Sequence, residues 1–289
     1  MTNTDWKLQR SGIRHAGLGA GLGAVAWLGI LMSPDMARAQ DGTPATPNRE
    51  QASEVEPIIT DRPDFTESTE TVPAGMTQIE AGATYARTGD ERSHSLGEVL
   101  VRHALGRRTE LRLEVPTLSR TRGAAGRESG FEDGSIGFKT MLSQGSGGFG
   151  LKRPRISLIG DTSLPVGSSR FRERKLQPGV KLLLGVDLSE RLSLSSNLNY
   201  ADLSEEGDRF GEFSASLSLG IGVTERVGSY VEVFGFFPGG KRDNSRFING
   251  GFTYLVNNDF QLDARLGFGL GNDAAGPDTF FGVGVSRRF

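Results

Sequence analysis

The chain contains no cysteine, which excludes disulfides and thiolate metal sites. Its three histidines, His15, His94 and His103, stand in three unrelated contexts and offer no pattern for a histidine-based metal centre. Charge of either sign nearly cancels: 33 Lys and Arg against 35 Asp and Glu leave a net −2, so no basic excess points to nucleic acid. Aromatic residues make up only 8%. Beyond residue 39 no apolar run approaches the ~20 residues of a membrane helix, and the mean hydropathy is −0.31. Hydropathy alone describes a soluble exported protein. Periodicity describes something else.

Glycine is what the chain has in excess, 41 of 289 residues. Without a collagen period, that frequency implies many turns or close backbone approaches. The N-terminus reads as an address. Lys7, Arg10, Arg14 and His15 precede the uncharged stretch 16–32, and Ala37 and Ala39 supply the small residues of a cleavage site. That is the layout of a secretory signal peptide over 1–39, with the mature chain beginning near Gln40. Residues 40–74 are acidic and proline-broken, and form a periplasmic or lumen-entering lead-in.

From Thr77 onward the pattern alternates with period two. In "TQIEAGATYAR", Ile79, Ala81, Ala83 and Tyr85 share a face opposite Gln78, Glu80, Gly82 and Thr84. "TELRLEVPTL", "SIGFKTML", "VKLLLGVDL", "RLSLSSNLNY", "EFSASLSLGIGV" and "QLDARLGFGL" behave the same way. Weaker segments at Leu96–Leu105, Arg155–Leu164, Ser229–Phe237, Phe247–Val256 and Thr279–Phe289 bring the total to about twelve strands, each near the ~9–11 residues of a tilted membrane strand. Short links ("GRR", "SER", "TERVG", "NND") alternate with longer polar ones ("TGDERSH", "RTRGAAGRESG", "VGSSRFRERK", "SEEGDR", "PGGKRDNS", "NDAAGPDT"); "SQGSGGFGLKRP" is long where a short turn is expected. This predicts an all-β fold over 75–289: an antiparallel transmembrane β-barrel with short turns and both chain ends on the periplasmic side. Closure is required because lipid cannot satisfy exposed backbone groups. A secreted β-sandwich is the soluble alternative, but it would bury bulkier cores and show no alternation of loop length.

The final strand ends on Phe289, a terminal aromatic that resembles the signal read by outer-membrane assembly machinery. Arg287 interrupts its apolar face and is expected near the headgroups, where a charge costs little. Inward parity collects both signs of charge. Arg102, Arg112, Lys139, Lys181 and Arg265 face Glu80, Glu110, Glu114, Asp133, Asp187, Glu212, Glu232 and Asp263. Two readings follow: a hydrated lumen whose charges filter solutes, or a salt-bridge network that fills and stiffens a narrow barrel. The loops "RTRGAAGR" and "RFRERK" are basic. They are suited to steering anionic solutes, to binding lipopolysaccharide phosphates, or simply to solvation.

Before the first strand stands "TDRPDFTES", Thr60 to Ser68. Proline holds Arg62 extended, and Asp61, Arg62, Asp64 and Glu67 carry charge beside Pro63 and Phe65. "TDRPDFTEST" with "VPAGMTQIEAG", and later "VEVFGFFP", "NGGFTYLVNNDFQLDARLGFGL" and "FFGVGVSRRF", resemble a family of bacterial outer-membrane barrel transporters named for the MetA pathway of phenol degradation. The likeness covers about residues 57–289. It implies a channel in the bacterial outer membrane passing small solutes, with aromatic or organic-acid compounds as candidates. A structural or surface-binding barrel with a closed lumen is the alternative. A lipid-modifying barrel enzyme is the third reading; it would need a serine beside His103, and no G-x-S-x-G motif is present. The expected partners are outer-membrane lipids, lipopolysaccharide and the assembly machinery. No catalytic residue, cofactor or metal is implied.

Overall fold

The computed structural model describes residues 56–289 except 125, 146–148, 150–153, 206 and 272–275. The signal peptide expected over 1–39 and the first part of the expected lead-in lie outside the described residues. The described chain forms fifteen strand segments: β1 (Thr77–Thr88), β2 (Glu91–Leu96), β3 (Leu100–Ala104), β4 (Thr109–Glu114), β5 (Leu118–Gly123), β6 (Gly126–Phe131), β7 (Gly134–Gln144), β8 (Arg155–Leu164), β9 (Pro178–Asp187), β10 (Leu192–Glu205), β11 (Asp208–Gly222), β12 (Val227–Pro238), β13 (Ser245–Asn257), β14 (Phe260–Gly269) and β15 (Thr279–Arg288). Strand β1 pairs with β2 along its upper half and with β3 along its lower half. The pairs β2–β3, β4–β5 and β6–β7 are therefore single staves, each broken once, and the ring has twelve staves. It closes through β1 and β15, from Gln78 opposite Arg288 to Arg87 opposite Thr279. Every pairing is antiparallel and the ring closes on itself; among the described strands β6, at the long-loop end, alone pairs on one side only, with β5.

The wall is inverted relative to a soluble protein. Phe138, Leu198, Leu217, Val231, Phe252, Leu266 and Phe281 are exposed, while Glu80, Arg102, Glu110 and Lys139 are fully buried. Lipid is the solvent for the first set and the lumen holds the second. This is the band of outward apolar residues that a membrane barrel needs.

Three expected loops turn out to be strand. "TGDERSH" contributes β2, "RTRGAAGRESG" contributes β5 and much of β6, and "SEEGDR" holds the ends of β10 and β11. The hairpins are held by backbone bonds, which need no apolar face. Charged side chains on both sides of the ribbon hide the alternation.

The three breaks have a further consequence. Leu96 is outward in β2, yet Leu100 and Arg102 are inward in β3. Gly97, with φ +101°, supplies the backbone conformation for this change of parity. Staves β4–β5 and β6–β7 change parity too: Arg112 and Ser119 face in, as do Gly130 and Lys139. One face cannot be followed through such a slip by counting in twos.

Candidate functional site in the barrel lumen

Residues 58–72 run inside the ring. They enter where the Ile58 N–H donates to the Asn258 carbonyl in the β13–β14 turn, at 2.7 Å. The N–H groups of Asp61 and Arg62 donate to the Glu80 carboxylate of β1 at 3.0–3.1 Å. Those of Phe65 and Thr66 donate to Glu232 of β12 at 2.9 and 2.7 Å. The chain then folds back: Ser68 donates through N–H and hydroxyl to Asp61, and the Val72 N–H donates to Glu110 of β4 at 2.8 Å. An extended strand-less segment has orphan backbone donors, and inside a membrane barrel these must find partners. Wall carboxylates meet several of them here.

Charge fixes the same segment from three sides. Asp61 receives Arg112 Nη1 at 2.5 Å and Lys139 Nζ at 3.0 Å, with Arg102 Nη1 at 3.6 Å. Burial alone would raise the Asp61 pKa, but Arg102, Lys139 and Arg112 together outweigh it and hold the carboxyl well below the usual range. Glu67 bridges Lys181 at 3.1 Å and Arg112 at 2.9 Å; against burial, these cations keep it lowered too. Arg62 reaches Glu98 at 2.9 Å and Asp263 at 3.4 Å, and donates to the Val283 carbonyl. Its guanidinium lies over Gly82 and Gly284, register partners on β1 and β15, where a Cβ on either would collide with it. Glycine frequency here signals close approach.

Asp64 is different. It accepts from the Ser218 hydroxyl at 3.1 Å. Burial, and then the nearby Glu232 charge, push its pKa well above the usual range. Phe65 carries the segment's apolar anchor. It stacks on Phe234 at 4.8 Å and meets Phe236 edge-on at 5.2 Å. Phe247 and Phe280 complete a buried aromatic cluster with Ala86, Ala201 and Leu203. These come from the long-loop ends of their staves. A vestibule of about 720 Å³ opens on the short-turn side, between Ile58–Asp64 and the walls at Ser193, Ser195, Ser218, Tyr230 and Gln261.

Of the expected lumen residues, Glu80, Arg102, Glu110, Arg112, Lys139, Lys181, Glu232 and Asp263 touch the segment or the charges around it. Arg265 donates to the Pro63 carbonyl at 2.8 Å. Glu114 accepts from Ser135 at 2.8 Å, and Glu212 is buried opposite Ala201. Asp187 lines the vestibule near its rim and pairs with Arg155, which also reaches Glu70. One position differs. Asp133 accepts the N–H groups of Gly167 and Glu173, so it anchors the loop over 165–177 instead of lining the pore. Phe289 exchanges backbone bonds with Thr77, and Arg287 lies outward, 4.9 Å over the Phe289 ring. His103 is also outward, 2.9 Å from the Thr77 hydroxyl. Among the described residues no group of His, Cys, Asp and Glu is arranged to hold a metal ion.

Reading the sequence missed the aromatic cluster and Glu98. Phe234 and Phe236 follow Glu232 at the inward period, so their signal was present. Glu98 lies at a parity break, where counting gives no answer.

A family described as "Putative MetA-pathway of phenol degradation" matches residues 60–289, from the lumen-bound segment to the last strand. The chain belongs to that family. No curated protein matches it in sequence. Among solved structures, an outer membrane channel from Pseudomonas putida F1 is similar at TM-score 0.59 and 15% identity, over 77% of this chain and 98% of that one. The NanC porin is similar at TM-score 0.50 and 9% identity, over 72% and 98%. At such identities the likeness is one of fold, and the fold of this family member is the outer-membrane β-barrel.

Proposed function

We propose that this family member is an outer-membrane channel for small solutes whose N-terminal segment holds the lumen shut at rest. The single observation that carries the reading is the lumen-bound segment itself. Its contacts are ionic and polar over most of its length, which water can replace if the segment leaves. A permanent plug would be better served by a packed apolar core, since burying ion pairs gains little net stability. The vestibule beside Ile58–Asp64, lined by both apolar and polar side chains, gives solutes an antechamber from the periplasmic side.

The family description names phenol degradation, and we propose aromatic or organic-acid compounds as the cargo. The wall supplies both chemistries: Phe234, Phe236, Phe247 and Phe280 for a ring, and Arg102, Arg112, Lys139 and Lys181 for a carboxylate. Export through a cleaved signal to the outer membrane completes the proposal.

The test is conductance in a planar bilayer. Wild-type protein should be closed or nearly so. A variant lacking residues 41–70, with the signal and cleavage site kept, should fold and conduct. One observation favours the closed structural barrel instead: the aromatic cluster also fills the lumen at the other end. A folded deletion variant that still fails to conduct would establish that alternative.

A further inference from the structure

On the outer wall, strand register places arginines side by side. Arg87 of β1 is opposite Arg92 of β2, Arg92 is opposite Arg122 of β5, and Arg122 is opposite Arg127 of β6. The four share the outward face, because the same register links Ala83 to Leu96 and Leu118 to Phe131 lower down. All four are exposed. At about 4.8 Å between strands, the row spans roughly 14 Å.

Such a row is costly. Like charges directly opposite in neighbouring strands repel, and among the described residues none of the four makes an ion pair. The carboxylates of the same hairpins, Glu91 and Glu128, take inward positions, where Glu128 pairs with Arg170 at 2.8 Å. Elsewhere on the rim an exposed arginine is neutralised: Arg209 sits 2.6 Å from Asp202. The unpaired row is a local feature of one side of the barrel.

Height identifies what it faces. The outward row below holds Tyr85, His94 and Arg120, with the Tyr85 and His94 rings 5.1 Å apart. Below that comes the apolar row of Ala83, Leu96, Leu118 and Phe131. Apolar, then aromatic, then cationic is the profile of a membrane passing from hydrocarbon through the interface to the headgroups. The arginines therefore stand beside headgroups on the long-loop side. Guanidinium forks bind phosphate bidentately.

We propose that Arg87, Arg92, Arg122 and Arg127, with Arg120 below them, form a binding site for the phosphorylated headgroup of a membrane glycolipid, the lipopolysaccharide of the outer leaflet. The site rests on the outer-membrane placement proposed above and is independent of whether the lumen conducts. Fractionation of wild-type protein with the outer membrane tests the placement alone.

The test of the site is a titration of folded, detergent-solubilised mature protein with rough lipopolysaccharide, read as the shift of the heat-unfolding midpoint. Wild type should be stabilised. The Arg92→Gln, Arg122→Gln, Arg127→Gln variant should need about a hundredfold more lipopolysaccharide for the same shift. Arg226→Gln, in a turn at the other end of the barrel, should match wild type. Dephosphorylated lipopolysaccharide and inorganic phosphate should both leave wild type unshifted. If the triple variant fails to fold, Arg122→Gln alone should lose about fivefold. The proposal is overturned if the substituted row binds like wild type. Equal binding of the dephosphorylated lipid would overturn it in favour of the apolar belt. An equal shift with inorganic phosphate would overturn it in favour of a free-anion site.

Discussion

Replacing Asp61 by asparagine keeps the side chain's size and its hydrogen bond with Ser68, and removes one charge from the centre of the lumen. Arg112, Lys139 and Arg102 then lose the carboxylate that they share at 2.5, 3.0 and 3.6 Å. Removing one partner from a buried ion-pair network costs about 3–5 kcal/mol. The lower end applies here, because Glu80 and Glu110 remain beside the same cations and water can follow into the lumen. That cost falls on the docked state alone, since an undocked Asp61 is solvated. About 3 kcal/mol moves the ratio of undocked to docked segment by roughly a hundredfold. Single-channel recording should show it as open events in Asp61→Asn that are rare or missing in wild type. Heat-modifiable mobility on gels should report an intact barrel in both. Lys139→Met, made in the wall, should act in the same direction, and the double variant should fall short of the sum because the two groups are in contact. If Asp61→Asn stays as closed as wild type while the deletion of 41–70 conducts, these ion pairs do not hold the segment, and the reasoning fails.

Three further outcomes are expected. Asp64 has a pKa raised by docking, so its contribution to the docked state is full below the usual ~3.9 of aspartate and is lost as pH rises through the raised value; open probability should climb over that window, and Asp64→Asn should flatten the climb. Asp61 has the opposite sign, since its pKa is lowered: its contribution is present above ~3.9 and is lost only as pH falls through the depressed value. Phe65→Ala removes the ring stacked on Phe234, at a cost of about 3–5 kcal/mol to the docked state; cysteine placed at Ser218 should then react faster with a soluble thiol reagent, and an unchanged rate would show that the aromatic cluster closes without Phe65. Deleting Phe289 removes the backbone pair with Thr77 at the barrel seam and should slow insertion into lipid vesicles, read as delayed appearance of the folded gel band.

Period-two alternation by itself determined the barrel, its twelve staves and, away from the three parity breaks, which wall charges point inward. It could do so because a strand's side chains alternate rigidly and lipid demands that one face be apolar. "TELRLEVPTL" needs no neighbour to be read: Leu111 and Leu113 must face away from Glu110 and Arg112. The alternation stopped being informative where both faces are polar, as in "TGDERSH" and "RTRGAAGRESG", and where a bulge at Gly97 reverses parity and turns Glu98 toward Arg62. Strand register decided the rest. Arg87, Arg92, Arg122 and Arg127 are scattered in the chain and become one row only when four staves are paired. The place of Asp61 was likewise a tertiary matter. Its sequence neighbours give it a charge and an extended backbone, but three cations from the adjacent staves β3, β4 and β7 converge on it only in the folded barrel, because antiparallel register sets Arg102 opposite Arg112 and Lys139 opposite Glu110 and residues 58–72 lie against that stretch of wall from inside the ring.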